Sequence, residues 1–346
     1  MADDRFQLLN TDYPQRIPRH KLRHVMCILF LAIILVLFII GLAVYFGSYF
    51  GSHHTIKILS LNVWGLPYKF GSLDKEERIL KIAEMLRKDP QFDVVFFQEL
   101  WMPADHATIE LELNGDYSMT SFDSMNNNCI HLTAPFQCSG LAVLSKYPFH
   151  EVEFHAYNES GHSSEEFIDG ENFVNKGVGR VRLLLPGNTT ADFFLTHTIA
   201  DAPPGKSYTN EDIRLNQVSE LVNNGVKKST ADIVILGGDL NASPDSKPYQ
   251  FIKRCMRSTA LDIFKILKAL FDPVISTYAN PKNTWSVNIT DPIMYDHIFY
   301  KVNNPDYLAW TNIFSVPIFH FLDDSGKKKS VSDHEGIIAT LYYRRK

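Results

Sequence analysis

The chain has 346 residues, of which 45% are hydrophobic and 21% are charged, and this composition excludes a disordered, collagen-like or coiled-coil chain. Its formal net charge of -5 provides no overall basic field of the kind that drives non-specific binding to nucleic acid. The four cysteines are too few for a fold built on disulfides, and none of them forms the CxxC pair of a structural zinc site.

The first predicted element is a membrane span at residues 25–46. These 22 residues contain no charge, and a helix of that length reaches about 33 Å, enough for a bilayer core of about 30 Å. The alternative is a cleaved secretory signal, but the apolar region of such signals is shorter. Five Lys and Arg residues precede the span, whereas only Lys57 follows it closely. We therefore expect a cytoplasmic tail, residues 1–24, and an extracellular or lumenal domain beyond the anchor.

Two further features favour an extracytoplasmic location for the large domain. Acceptor tripeptides for N-glycosylation begin at Asn158, Asn188 and Asn288, which predicts a glycoprotein. Cys129 and Cys138 are close enough in sequence for a small disulfide loop, and disulfides persist in oxidising compartments.

After a short tether of small and polar residues at 47–54, the pattern predicts one domain over residues 55–346. Residues 55–61 alternate like a half-buried strand, residues 74–88 place apolar side chains on one helical face, and residues 92–98 form a buried apolar strand. Later strands are predicted at residues 140–145, 178–185, 192–197, 233–238, 295–300 and 336–343, and helices at 210–223, 248–255 and 260–271. The domain is therefore expected to be mixed α/β.

Polar residues interrupt the ends of the apolar strands at six places. Each has an ordinary structural explanation when it is taken singly, such as a turn, a helix cap, a satisfied core histidine or an Asx turn. A carboxylate directly after an apolar strand is nevertheless poorly explained by packing, because an unpaired buried charge is costly. Together these residues indicate a single polar site: Asn62, Glu99, His197, Asp239 with Asn241, Asp296, and Asp333 with His334.

This ordered set resembles the endonuclease/exonuclease/phosphatase superfamily with the deoxyribonuclease-I-like fold. The resemblance spans residues 55–345, and the motifs LNVWGLP, FFQELW, NKGVG, GGDLNASP and SDHEGIIATL are similar to those of its neutral sphingomyelinase branch. It implies a four-layered α/β sandwich with the site at the shared edge of two central sheets. It also implies magnesium-dependent hydrolysis of sphingomyelin to ceramide and phosphocholine, with Mn²⁺ as a candidate substitute for Mg²⁺.

The resemblance implies a metal side and a phosphate side of the site. Glu99 is expected to be the principal magnesium ligand, with Asn62 beside it and Asp333 supporting it, since Mg²⁺ prefers oxygen ligands and needs few carboxylates. His197 and Asn241 are expected to surround the phosphate and to stabilise the charge that develops on its oxygens.

The resemblance also implies an acid–base pair. His334 is the expected base for the attacking water, and Asp296 would fix its tautomer. His297 is an alternative proton acceptor. Asp239 would orient the water or a second metal ion. Lys176 lies in the NKGVG motif, so it is expected either near the lipid phosphate or on the solvated surface.

Residues 310–322 (WTNIFSVPIFHFL) are rich in aromatic and aliphatic side chains and allow two interpretations. One is a pair of core strands separated at Pro317. The other is a hairpin whose tip, from Phe314 to Phe319, dips into the lipid headgroup region. Bacterial enzymes that resemble this chain carry an aromatic hairpin in the corresponding stretch.

The expected partners are a membrane lipid substrate, sphingomyelin or a related choline lipid, and the bilayer that contains it; no nucleic-acid partner is expected. Another hydrolase of the superfamily, such as a nuclease or an inositol-phosphate phosphatase, is the alternative enzyme. A binding module without activity is disfavoured, because the full set of polar residues is present.

Overall fold

The computed structural model describes residues 30, 33–41, 53–66, 72–126, 129–131, 135–136, 138–159, 174–201, 209–259, 276–280, 282–286, 292–315 and 319–346. It divides into two units, Met1–His53 and His54–Lys346. In the first unit, Phe30 and residues 33–41 are helical, and their large apolar side chains are 47% to 64% exposed. Within the described residues, no helix has the length and apolar character needed to cross a bilayer. The other residues of the predicted span at 25–46 lie outside the described part of the chain.

The second unit contains two sheets of six strands each. The first sheet has the order β13-β16-β1-β2-β6-β3 and comprises β1 (His54–Asn62), β2 (Val94–Gln98), β3 (Ser118–Met119), β6 (Ala142–Ser145), β13 (Tyr307–Ser315) and β16 (Ile337–Arg345). The second has the order β11-β12-β10-β9-β8-β7 and comprises β7 (Phe149–Ala156), β8 (Gly177–Leu185), β9 (Thr189–His197), β10 (Ile233–Asp239), β11 (Arg257–Ser258) and β12 (Asp296–Val302).

Two short hairpins lie outside these sheets. The strands β4 (Ile130–His131) and β5 (Pro135–Phe136) form one, and β14 (His320–Leu322) and β15 (Lys328–Ser330) form the other. Cys129 and Cys138 flank the first hairpin and are joined by a disulfide, which confirms the predicted loop.

Among the described residues, four helices cover the outer faces of the two sheets. Helices α1 (Lys75–Lys88) and α2 (Pro103–Glu112) belong to the first half of the unit, and α3 (Glu211–Glu220) and α4 (Lys247–Lys253) to the second. A π-helical turn, Leu221–Val226, continues α3. The Pro at the start of α2 suits its first turn, where a backbone N–H would have no helical partner.

Three apolar clusters hold the layers together. The central one contains side chains of both sheets, including Phe96 and Phe193, whose rings meet edge to face at 6.2 Å. A second cluster packs Ile79 and Ile82 of α1 against the first sheet, and a third packs Val218 of α3 against the second. The order helix, sheet, sheet, helix confirms the predicted four-layered sandwich.

The structure departs from the sequence-based expectations at several elements. Helix α2 and strand β7 were not predicted, and the predicted helix at residues 260–271 lies outside the described residues. Strand β1 begins at His54, the last residue of the predicted tether. The predicted helix at 210–223 is α3 followed by the π-helical turn.

The aromatic stretch at residues 310–322 is largely part of the domain. Strand β13 pairs with β16, and Trp310 stacks on Tyr342 at 5.8 Å. Phe319 and Phe321 are partly buried and pack against the second cluster. Phe319, at one end of the proposed membrane-dipping tip, is thus partly buried against the domain, and the membrane-dipping interpretation stays a prediction. Residues 316–318 lie outside the described part of the chain.

Candidate active site

The predicted polar residues meet beside the carboxyl ends of two pairs of parallel strands. Strand β1 pairs in parallel with β2, and β9 pairs in parallel with β10, so the carboxyl ends of each pair lie at one edge of their sheet. Register places Asp239 opposite both His197 and Asp296. The regular pattern of apolar strands therefore determines where these side chains gather.

One amide connects the edges of the two sheets. Asn62 Nδ2 donates to Glu99 Oε1 at 2.9 Å and to Asp239 Oδ2 at 3.1 Å. Its Oδ1 accepts a hydrogen bond from the Trp64 N–H at 2.9 Å. Because an amide oxygen has two lone pairs, Asn62 Oδ1 can accept one further contact. The side chain of Asn62 is fully buried, so these bonds hold the two carboxylates at a fixed separation.

Glu99 has the features of a metal ligand. Its backbone is left-handed, with φ of 60°, and its carbonyl accepts from the Gly65 N–H at 3.1 Å. A side chain at Gly65 would place a Cβ 2.3 Å from that carbonyl oxygen. The Oε2 atom of Glu99 is buried and has no hydrogen-bond partner. Burial, together with the negative charge of Asp333, raises the pKa of Glu99 to about 7.

Asp333 lies on the same side of the site as Glu99. Ser332 Oγ lies 3.3 Å from Asp333 Oδ1, and burial raises the pKa of Asp333 despite the opposing charges of His334 and Arg78. A buried carboxylate oxygen without a donor, next to a second carboxylate, costs free energy unless a cation is present. Glu99, Asn62 and Asp333 therefore fit a hard divalent cation such as Mg²⁺.

His334 and Asp296 form the predicted pair. His334 Nδ1 lies 2.9 Å from Asp296 Oδ2, and His334 Nε2 lies 3.8 Å from Asp239 Oδ2. Burial alone would lower the pKa of His334, but the carboxylates of Asp296 and Asp239 outweigh it and hold the pKa well above its ordinary value. Within the described residues, Asp239, Asp296 and His334 also bring ligand atoms within 4.8 Å of one another, which defines a second candidate position for a cation.

Lys176 is buried rather than solvated, with 2% of its surface exposed. Its ammonium donates to His197 Nε2 at 2.9 Å and to the Thr198 carbonyl at 3.1 Å. Burial and the charge of Lys176 hold the pKa of His197 well below its ordinary value. The surface alternative for Lys176 is therefore wrong, and a neutral imidazole and a cation stand together on this side of the site.

Asn241 takes part in a turn at the end of β10. Its backbone is left-handed, with φ of 44°, and its N–H donates to Asp239 Oδ1 at 2.8 Å, as in an Asx turn. Its Nδ2 donates to the Thr198 carbonyl at 3.1 Å, the same carbonyl that Lys176 contacts. Asn241 therefore lies on the same side as Lys176 and His197.

His297 does not belong to the site. It follows Asp296 along β12, and alternation along a strand directs the two side chains to opposite faces. Its Nε2 faces the Ala242 carbonyl at 2.8 Å, and its ring packs on Tyr249 at 4.7 Å. Burial lowers the pKa of His297 to about 4, so it is a neutral core residue and the alternative assignment of the base is not supported.

Sequence reasoning missed two residues that support the site, Thr277 and Tyr278. Thr277 Oγ1 accepts from the N–H groups of Tyr295 and Asp296, at 2.9 and 3.0 Å. The ring of Tyr278 lies 5.0 Å from that of His334. Neither residue follows an apolar strand, so no pattern in the sequence marks them.

A family model described as the Endonuclease/Exonuclease/phosphatase family matches residues 59–334. A putative neutral sphingomyelinase from Drosophila melanogaster is 26% identical over 83% of this chain and 60% of its own length. Sphingomyelin phosphodiesterase 2 from Homo sapiens is 25% identical over 84% of this chain and 65% of its own length. The chain thus spans less than two thirds of the length of these relatives.

A likeness to solved structures supports the fold. The beta toxin of Staphylococcus aureus, in a crystal structure with bound magnesium ions, superposes with a TM-score of 0.58 at 19% identity, covering 83% of this chain and 99% of the toxin.

Proposed function

This chain belongs to the endonuclease/exonuclease/phosphatase family, and from that premise we propose that it is a magnesium-dependent phosphodiesterase that hydrolyses sphingomyelin to ceramide and phosphocholine. The observation that carries the proposal is the buried network in which Asn62 joins Glu99 to Asp239 beside the paired His334 and Asp296. The choice of substrate rests on the relatives, which are named as sphingomyelinases or sphingomyelin phosphodiesterases.

Glu99, Asn62 and Asp333 would hold the metal ion, with Mn²⁺ as a candidate substitute for Mg²⁺. Bound there, the cation would offset the negative charge of the phosphate and, by repulsion, lower the pKa of the nearby His334 imidazole towards neutrality. The unpartnered oxygen of Glu99 is the atom that supports this assignment most directly.

His334 would accept the proton of the attacking water at Nε2, since Nδ1 is held by Asp296. Asp296 would stabilise the imidazolium that forms, and Asp239 would orient the water. The bond between phosphorus and the ceramide oxygen breaks as the water oxygen attaches to phosphorus. The ceramide oxygen then takes a proton from the solvent and His334 releases its proton to the solvent, so that ceramide and phosphocholine are the two products.

Lys176, His197 and Asn241 would stabilise the charge that builds on the phosphate oxygens. Lys176 carries a buried positive charge next to the neutral His197, and donors fixed before the reaction lose little free energy in reorganising around the transition state. In this scheme the metal side and the Lys176 side hold the phosphate from two directions.

We also propose that residues 25–46 anchor the chain in a membrane, with residues 1–24 in the cytoplasm and the catalytic domain, residues 55–346, extracellular or lumenal. The exposed apolar side chains of the helical residues 33–41 support an anchor. The Cys129–Cys138 disulfide and the exposed acceptor residues Asn158 and Asn188 support the location and the expected glycosylation; Asn288 lies outside the described residues. The bilayer would then carry both the enzyme and its substrate.

An activity panel tests the proposed function. The full chain in mixed micelles would be given sphingomyelin, phosphatidylcholine, inositol phosphates and plasmid DNA, each with Mg²⁺ or with chelator. We expect sphingomyelin to be cleaved only with the metal, and expect Glu99→Ala to abolish turnover. Glu76→Gln, whose side chain is 84% exposed on α1, is the matched control. Cleavage of DNA or of inositol phosphates without cleavage of sphingomyelin would favour the alternative hydrolases.

A further inference from the structure

Arg78 of α1 is fully buried and donates from all its N–H groups. Arginine has five such donors in a fixed planar fork, and here each has an acceptor. Nε donates to the Leu73 carbonyl at 2.8 Å, Nη1 to the carbonyls of Val63 and Val331 at 2.8 and 2.9 Å, and Nη2 to the Trp64 carbonyl and Ser72 Oγ at 2.7 and 2.6 Å.

Three of these five acceptors, the carbonyls of Val63, Trp64 and Val331, belong to the two segments that carry the proposed metal ligands. Val63 and Trp64 directly follow Asn62, and Val331 precedes Ser332 and Asp333. Ser332 Oγ donates to the Asn62 carbonyl at 2.6 Å, which is a second link between the same segments. The guanidinium also lies over the Trp64 ring at 4.7 Å. Arg78 therefore joins the segment that follows Asn62 to the segment that precedes Asp333.

None of the five acceptors is a carboxylate. A buried cation normally pairs with an acid, because desolvation of an unpaired charge is costly. Burial lowers the pKa of Arg78 to about 10, and the negative charges of Asp333 and Asp74 oppose that change. The guanidinium thus stays charged at neutral pH. Its hydrogen bonds go to backbone carbonyl oxygens and one hydroxyl oxygen, so they fix the positions of the segments that carry these acceptors.

We propose that Arg78 is a positioning residue for the metal site: its planar fork sets the separation of the segments that carry Asn62 and Asp333. Mg²⁺ demands near-octahedral geometry with ligands at about 2.0–2.1 Å, so a small shift of either segment weakens binding. The inference rests on the proposed function, since it assigns Arg78 to the metal site of that function.

The test is Arg78→Lys in the full chain, because lysine keeps the charge but has three donors on one atom. Supporting groups around a metal site typically contribute about 10- to 100-fold in affinity. We expect the dissociation constant for Mg²⁺, measured by calorimetric titration in micelles, to rise about tenfold or more. The Mg²⁺ concentration for half-maximal turnover should rise in parallel, while kcat at saturating Mg²⁺ should stay within about threefold of the wild-type value.

Lys75→Met is the matched control. Lys75 lies one turn earlier on α1 and is also buried. It forms an ion pair of 2.6 Å with Asp105, and this pair is not part of the site. This variant should lower the melting temperature and leave the affinity for Mg²⁺ unchanged. If Arg78→Lys also loses thermal stability but binds Mg²⁺ as the wild type does, Arg78 is only a structural residue and the inference is wrong.

Ser72→Ala decides the matter if Arg78→Lys does not fold. It removes one acceptor of the fork and keeps the guanidinium. Ser72→Ala removes a single hydrogen bond of the fork, so weaker binding of Mg²⁺ by about two- to fivefold supports the inference, and wild-type binding overturns it. If the wild-type chain binds no Mg²⁺ at all, the proposed function is overturned together with this inference. If the wild type binds Mg²⁺ and the variants bind it equally well, only this inference is overturned.

Discussion

Glu99→Gln should stabilise the chain when no metal is present. The substitution keeps an acceptor for Asn62 Nδ2 and removes the charge that lies near Asp333. In the folded state, burial and Asp333 raise the pKa of Glu99 from 4.5 to about 7, so the folded protein binds this proton more tightly than the unfolded chain does. The wild type therefore loses stability as pH rises between these two values.

The size of the effect follows from the two pKa values. Above pH 7 the loss amounts to about 3 kcal/mol, because a tenfold change in proton affinity corresponds to about 1.4 kcal/mol. At pH 5.5 only part of it is present, about 1 kcal/mol. Glutamine does not titrate. The gain in free energy of unfolding from Glu99→Gln should therefore increase from about 1 kcal/mol at pH 5.5 to about 3 kcal/mol above pH 7.

The difference in free energy of unfolding between Glu99→Gln and the wild type can be measured by denaturant unfolding in chelator at pH 5.5 and pH 8, followed by tryptophan fluorescence. Glu76→Gln is the control, and its free energy of unfolding should equal that of the wild type at both pH values. Adding Mg²⁺ at pH 8 should stabilise the wild type and leave Glu99→Gln unaffected, because only the wild type binds the ion. If Glu99→Gln were less stable than the wild type at pH 8 in chelator, the carboxylate would already have a favourable partner. The reasoning that makes it a metal ligand would then be refuted.

Three other predictions concern the reaction and its framework. His334→Ala should lower kcat by about 10²- to 10⁴-fold with little change in lipid binding. His297→Gln should alter the melting temperature more than kcat. A large loss of kcat in the His297 variant, with normal kcat in the His334 variant, would show that the base has been misassigned. Lys176→Met should lower kcat by about 10²-fold or more, since it removes the buried charge that we propose stabilises the phosphate, and unchanged turnover would remove Lys176 from the site. Thr277→Val should reduce kcat by misplacing Asp296, and a pH–rate profile identical to that of the wild type would show that Thr277 has no part in fixing the pair.

The sequence was most informative where a polar residue ends an apolar strand. Asn62, Glu99, His197 and Asp239 end or directly follow strands that pair in parallel, and Asp296 begins a strand antiparallel to β10. Their grouping could therefore be predicted from the pattern. The rejection of His297 could also have been predicted, because neighbouring residues of a strand point to opposite faces. Local pattern and strand alternation were sufficient for these residues.

Other features depended on contacts between distant segments. The burial of Lys176 follows from the pairing of Gly177 with His197 across β8 and β9, which no local pattern reveals. Arg78 occupies one position of an amphipathic helix whose pattern does not distinguish a buried cation from an exposed one. Phe319 is equally consistent with a core and with a membrane contact until its neighbours in space are known. Local sequence patterns could not identify the environments of these residues.

The order of strands in the first sheet has a consequence for the synthesis of the protein. Strand β1 lies between β2 and β16, and the hydrogen bond from Ser332 to Asn62 joins residues 270 positions apart. A growing chain can pair β1 with β2 early, but the other edge of β1 stays open until nearly the whole domain has left the ribosome. Closing so long a loop is slow, and an open strand edge invites pairing with other chains. The two segments that carry the proposed metal ligands therefore meet only when the last strand is added, so a partly made domain cannot hold the complete site.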